Sequence, residues 1–111
     1  MNQEMNAAIE SLFNMISEDY NGFSKGSEDR KEEFRENLDV DVGRKYIRIV
    51  KKLGSQHMVW GFIVNTQNDA KFSYGDILKA ATWKSPTRNA ARGNVFDLHR
   101  EDIQWTGPCY L

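Results

Sequence analysis

The hydrophobic period changes once along this chain, near residue 40, and that change does most to restrict its fold. Met5, Ile9, Leu12, Phe13 and Ile16 recur at helical spacing, so an amphipathic helix is predicted over residues 3–19. Asn21-Gly22 and Gly26-Ser27 punctuate the next stretch of chain. Ser27 can cap a second helix whose first turn carries Glu28 and Asp29, where the helix dipole favours negative charge. That helix offers chiefly Phe34 and Leu38 at i, i+4 and should lie at the surface. From Val40 the period is two. Val40 and Val42 share one strand face, Ile47 and Ile49 have the opposite parity, and a bulge or break is expected at Gly43 between them. Residues Met58 to Val64 are apolar on both parities, which suits a central strand covered on both faces. Gly61 leaves a gap in that strand for a neighbouring backbone or a flat ligand. The turn Ser73 to Asp76 leads to a third strand, Ile77 to Trp83, which Pro86 stops. A last extended segment runs from Val95 to Trp105, interrupted by a polar turn at His99–Asp102. Helices followed by strands read as α+β: two N-terminal helices packed on a twisted antiparallel sheet of three to five strands.

At 111 residues the chain has room for one domain and one core, with residues 1–39 helical and acidic and residues 40–111 sheet-forming and basic. Three Trp, six Phe and four Tyr suffice for that core without covalent staples. The one cysteine, Cys109, cannot form an intrachain disulfide, which fits a reducing, intracellular setting. The N-terminus has neither the basic start nor the apolar run of a signal peptide, and no stretch approaches membrane-spanning length. The overall charge of −1 conceals an asymmetry. Residues 1–41 carry 11 acidic against 4 basic side chains, and residues 42–111 carry 11 basic against 5 acidic. An anionic partner is therefore expected to meet the C-terminal part, unless the acidic helices merely neutralise the sheet they cover.

Catalytic patterns are sparse. With two histidines, one cysteine, no CxxC pair and no HExxH spacing, a zinc site is not expected. There is neither a GxSxG elbow nor a phosphate-cradling glycine loop. Cys109 lies too near the end to be held as a nucleophile, and His57 reads as a strand-end surface residue rather than a general base. Asp39 and Asp41 share a strand face but make at most two ligands for a hard cation. The segment from Trp83 to Asn94 carries more. Thr87 can cap a short helical turn and Gly93 can end it, which puts Arg88 and Arg92 at i, i+4 on one face. Two guanidinium forks so placed can clamp a diphosphate, with Lys84 as a third charge; the alternative is an exposed basic turn with no ligand. Among the aromatics, Trp60 and Trp83 are expected in the core, while Phe62 and Phe72 are freer to stack on a base. The stripe Arg44, Lys45, Arg48, Lys51, Lys52 can track a phosphate backbone or simply line a solvent face.

The order KYIRIV, WGFIV, GDILKAATWKSP, NAARGN and IQWTG, covering roughly residues 43–106, resembles a family of small phage proteins, the first-described Thoeris anti-defence family. The resemblance implies helices on a twisted antiparallel sheet, dimers or hexamers, no enzymatic activity and no cofactor. It implies a sponge in the host cytoplasm that sequesters cyclic ADP-ribose isomers such as glyco-cyclic ADP-ribose. It also implies, for some members, a separate site for cyclic oligonucleotides such as cyclic trinucleotides of the CBASS type. Carried over by position, it gives Arg88 and Arg92 the phosphate-binding role and calls for an aromatic on the adenine, for which Phe62 is the choice. The expected ligand-binding set is then Arg88, Arg92, Phe62, Lys84, Thr87 and Asn94. Two other classes compete with the sponge: a single-stranded nucleic-acid-binding phage protein using the basic stripe, and an acidic inhibitor of a host enzyme presenting Glu28, Asp29, Glu32, Glu33 and Glu36. An enzyme that cleaves the signal comes last.

Overall fold

The computed structural model describes residues 1–24 and 28–109. Helix α1 spans Gln3–Ser24. Asn2 caps it, its Oδ1 accepting the Met5 amide at 2.8 Å. Met5, Ile9, Leu12, Phe13 and Ile16 form its buried stripe, as their spacing predicts. The helix runs a full turn past the predicted end, through Asn21 and Gly22, because Tyr20 has tertiary partners there. Its ring stacks on Phe34 at 4.1 Å and meets Trp105 edge-on at 5.3 Å, contacts that outweigh the poor helix propensity of glycine. Helix α2 spans Glu28–Glu36; the capping roles expected of Ser27, Glu28 and Asp29 lie outside the described residues. Leu38 is not part of it. The helix ends before Asn37, and Leu38 opens the first strand with its side chain in the same core as Phe34. Arg35 ties α2 to α1, donating to Asn14 at 2.6 Å and to Glu10.

Strands β1 (Leu38–Val42), β2 (Tyr46–Leu53), β3 (Gln56–Val64) and β4 (Ile77–Leu78) form an antiparallel sheet in the order β1-β2-β3-β4. Gly43 is the expected break: its amide donates to the Tyr46 carbonyl at 2.9 Å and closes the β1–β2 hairpin. The bulge falls elsewhere, in β3, where Ile49 opposes Gly61 and Val50 opposes Val59, leaving Trp60 as the extra residue. A bulge of this kind turns two successive side chains to one face. Trp60 therefore joins Ile47, Ile49 and Ile63 under α1, while Phe62 and Val64 face a second cluster with Phe72 and Leu78. The central strand is covered on both faces from Trp60 to Val64, whereas Met58, the first residue of its double-parity run, is exposed near the hairpin end. The gap at Gly61 is filled from within: a Cβ there would stand 3.0 Å from the Leu78 carbonyl and 3.0 Å from the Pro108 ring.

The C-terminal third departs most from its predicted strands. The third strand stops at Leu78 instead of Trp83, because Lys79 O accepts both the amide (2.7 Å) and the hydroxyl (3.0 Å) of Thr87, and residues 80–86 become an excursion between them. Trp83 rides near its tip, 43% exposed, and is not core. The final segment contributes a 3-10 turn, Arg100–Asp102, at the expected polar break. The two-residue strands β5 (Ile103–Gln104) and β6 (Gly107–Pro108) then close a small hairpin on the main sheet. Val95 and Ile103 are buried in the main core.

Candidate anion-binding groove

The helical turn expected from Thr87 to Gly93 does not form. Its backbone groups are spent covering the outer edge of β4: the Arg92 amide donates to Ile77 O at 2.8 Å, and the Ile77 amide donates to Gly93 O at 2.9 Å. Chain that pairs in this way is extended, so residues 88 and 92 stand up to about 13 Å apart rather than on adjacent helical turns. The two arginines accordingly do different things. Arg88 forks onto Asp69 at 2.9 and 3.0 Å, donates to the Tyr46 hydroxyl, and lies over the Phe72 ring at 4.9 Å. Arg92 is 5% exposed, donates to Cys109 O at 3.2 Å and to Asn89 Oδ1 at 2.9 Å, and keeps a buried Nε with no partner among the described residues. Thr87 is consumed by Lys79 O. Asn94 braces the preceding turn, donating to Tyr74 O and Asp76. Phe62, at 2% exposure, packs edge-on against Tyr46 with its ring centroid 5.9 Å away, and Phe72 is buried beside it, so neither offers a free ring face. A diphosphate clamp of Arg88 and Arg92 with a Phe62 stack is not assembled by this geometry.

Lys84 is brought instead to a different set. The hairpin end of β1 and β2 and the tip of the 80–86 excursion enclose a groove of ≈ 580 Å³, lined by Asp41 to Tyr46, Arg48, Phe62, Trp83 and Lys84. Four of these are cations. Arg44 and Lys84 have no side-chain partner among the described residues, which leaves their charge available. Arg48 is committed: it donates to Trp83 O at 2.9 Å, approaches Asp41 at 3.2 Å, and lies 4.9 Å from the centre of the indole ring. Trp83 is thus an exposed aromatic in a cationic setting, which suits the π-face of a base beside an anionic group.

A second hollow of ≈ 370 Å³ adjoins the first and shares Arg44 and Lys45 with it, adding Thr66, Asn68, Asp69, Ala70 and Arg88. Its carboxylate is saturated. The Asp69 side chain is 1% exposed and accepts from Arg88 and from the Phe72 (2.9 Å) and Lys71 (2.8 Å) amides. The Arg88 fork first, then those amides, hold its carboxyl well below the usual carboxylate range. The pair locks the loop after β3 against β2 and shapes the hollow's wall.

The basic stripe divides the same way. Arg44, Lys45 and Arg48 line the groove, but Lys51 is buried with its ammonium 3.2 Å from Trp105 O, and Lys52 pairs with Asp39 at 2.8 Å. Burial, with Lys79 adding repulsion, pulls the Lys51 pKa down. Alternation in the sequence could not distinguish these roles; the signal that could have pointed to the groove is the run of cations at the hairpin turn, Arg44-Lys45.

Burial first, then Asp102, pushes the Cys109 thiol up, away from the thiolate a nucleophile requires. His57 is exposed near the start of β3. No group of three or more His, Cys, Asp or Glu that could hold a metal occurs among the described residues, and no helix there is long and apolar enough to cross a membrane. No curated protein and no solved structure matches the chain. A family model does match, over residues 1–111, and the chain belongs to that family, described as a family of unknown function (DUF7717).

Proposed function

We propose that this protein is a non-catalytic binder of a small phosphate-bearing nucleotide in the β1–β2 groove, acting as a phage sponge for a cyclic ADP-ribose isomer in the host cytoplasm. The observation that carries the reading is the pairing of two uncommitted cations, Arg44 and Lys84, with the exposed indole of Trp83 in one groove. The phosphate role expected of Arg88 and Arg92 passes to Arg44 and Lys84, and the stacking role expected of Phe62 passes to Trp83. The resemblance to the Thoeris anti-defence family supplies the particular ligand and the homodimer or hexamer. A second protomer seated over the groove would slow the ligand's release. Calorimetric titration with glyco-cyclic ADP-ribose, followed by heat release and mass spectrometry, tests the whole reading. Tight binding with intact ligand recovered supports it; absence of heat at micromolar protein removes it, and a cleaved product makes the protein an enzyme. Each charge-assisted contact is worth roughly 1.5–3 kcal/mol, so Arg44→Ala or Lys84→Ala should weaken binding about tenfold or more.

One observation favours a second reading, a single-stranded nucleic-acid binder: the groove continues past Arg44 and Lys45 into the adjoining hollow, a path a polymer can follow. Its signature is affinity that rises with oligonucleotide length and falls steeply with salt. Short cyclic ligands would then compete poorly.

A further inference from the structure

Two arginine–aspartate pairs border the joined hollows, and they are built for opposite purposes. The Asp69 side chain is almost wholly buried and saturated by four donors, so its arginine cannot leave without stripping a buried carboxylate of its close countercharge. Asp41 is different. Its side chain is 59% exposed, and its one contact with Arg48, at 3.2 Å, is a surface ion pair of the weakest class. Arg48 itself is not fully satisfied where it rests, because its Nε is buried with no acceptor among the described residues. Its guanidinium carbon nevertheless lies 4.9 Å from the Trp83 ring centre, inside the groove.

We infer that Arg48 is an exchangeable cation: Asp41 holds it before a ligand arrives, and an entering phosphate takes it from Asp41 while it stays anchored on Trp83. This rests on the groove being the ligand site. The pyrophosphate of ADP-ribose carries two charges against the carboxylate's one and accepts guanidinium N–H groups as a carboxylate does, so it competes for the donor that Asp41 holds at a single point. The exposed carboxylate loses little on release, since water replaces the arginine. Asp41 is therefore a built-in competitor that sets how strong an anion must be to occupy the groove, and weak or singly charged anions are turned away.

The test is a double-mutant cycle read by titration with ADP-ribose at low salt. Asp41→Asn is expected to tighten binding about fivefold. In an Arg48→Lys background the same change is expected to alter affinity by less than about twofold, because an ammonium cannot bridge Asp41 and Trp83 O as a fork does. Arg48→Lys keeps the charge and the aliphatic stem, and circular dichroism of each variant establishes that it is folded. An equal gain from Asp41→Asn in both backgrounds would mean that Asp41 acts only by repelling the ligand, which overturns the exchange and leaves the groove as the site. No ADP-ribose binding by any variant overturns the groove reading and the exchange together.

Discussion

Gly61 gives the sharpest test of how the sheet is packed, because the same chemical change elsewhere should have the opposite effect. A methyl group at residue 61 would stand 3.0 Å from Leu78 O and 3.0 and 3.2 Å from the Pro108 Cγ and Cδ. None of these atoms can swing aside: one is backbone in β4, and the others belong to a rigid ring in β6. Relief requires one of the two strands to move by a few tenths of an ångström, and overpacking of that kind typically costs about 1–3 kcal/mol. In a domain of roughly this size each kcal/mol shifts Tm by about 4–8 °C, so Gly61→Ala should unfold about 5–15 °C lower. Gly22, by contrast, lies in α1 with nothing within 4 Å of its added methyl. There alanine removes the helix penalty of glycine, and Gly22→Ala should raise Tm by up to about 5 °C. Thermal unfolding followed by circular dichroism reads both. Equal Tm values for the two variants would refute the close approach of β4 and β6 to the middle of β3.

Three more outcomes depend on single groups. Lys51 is buried with its pKa pulled down, so its charge opposes folding below the folded-state value, and that cost fades as pH rises towards the 10.5 of the unfolded chain. Lys51→Met should therefore stabilise the protein near pH 7 and lose that advantage above pH 10.5, as urea midpoints at the two pH values will show. Asp69 has a depressed carboxyl, so its contribution is complete above its unfolded value of 3.8 and is lost as pH falls further below it. Asp69→Asn should lower the Tm at neutral pH and flatten the acid limb of the stability curve. Trp83→Ala should weaken a base-bearing ligand about tenfold, the scale of one stacked base, while leaving inorganic pyrophosphate affinity and Tm nearly unchanged. Equal losses for both ligands would mean that the indole is not a stacking platform.

The fold class was legible because it depends on period, which is a local property. The 3.6 repeat from Met5 to Ile16 and the double-parity run from Met58 to Val64 each allow one arrangement against a core, and both elements lie where those patterns place them. The capping of α1 by Asn2 and its extra turn past Asp19 were less legible, since the extension depends on Phe34 and Trp105 arriving from elsewhere. The site was hardest to read. Thr87, Arg88, Arg92 and Gly93 satisfy the local rules for a capped helical turn, but so short a turn has little stability of its own, and tertiary pairing decides its shape.

What the sequence determined by itself was therefore the layer architecture, the core stripe of α1, the two-sided burial of β3 and the concentration of cations in the C-terminal two-thirds. The tertiary structure alone decided which of those cations are free. β4 had an unpaired edge, and its backbone groups claimed residues 92 and 93, pulling the segment straight and parting Arg88 from Arg92. Asp69 arrived from the loop after β3 and took Arg88; the β5–β6 hairpin and its flank provided carbonyls that took Lys51 and Arg92. Arg44 and Lys84 remain available in the groove because no such partner reaches them among the described residues. Whether a charge is available depends on what lies within a few ångströms in space, and residues far apart in the chain supply most of that surrounding.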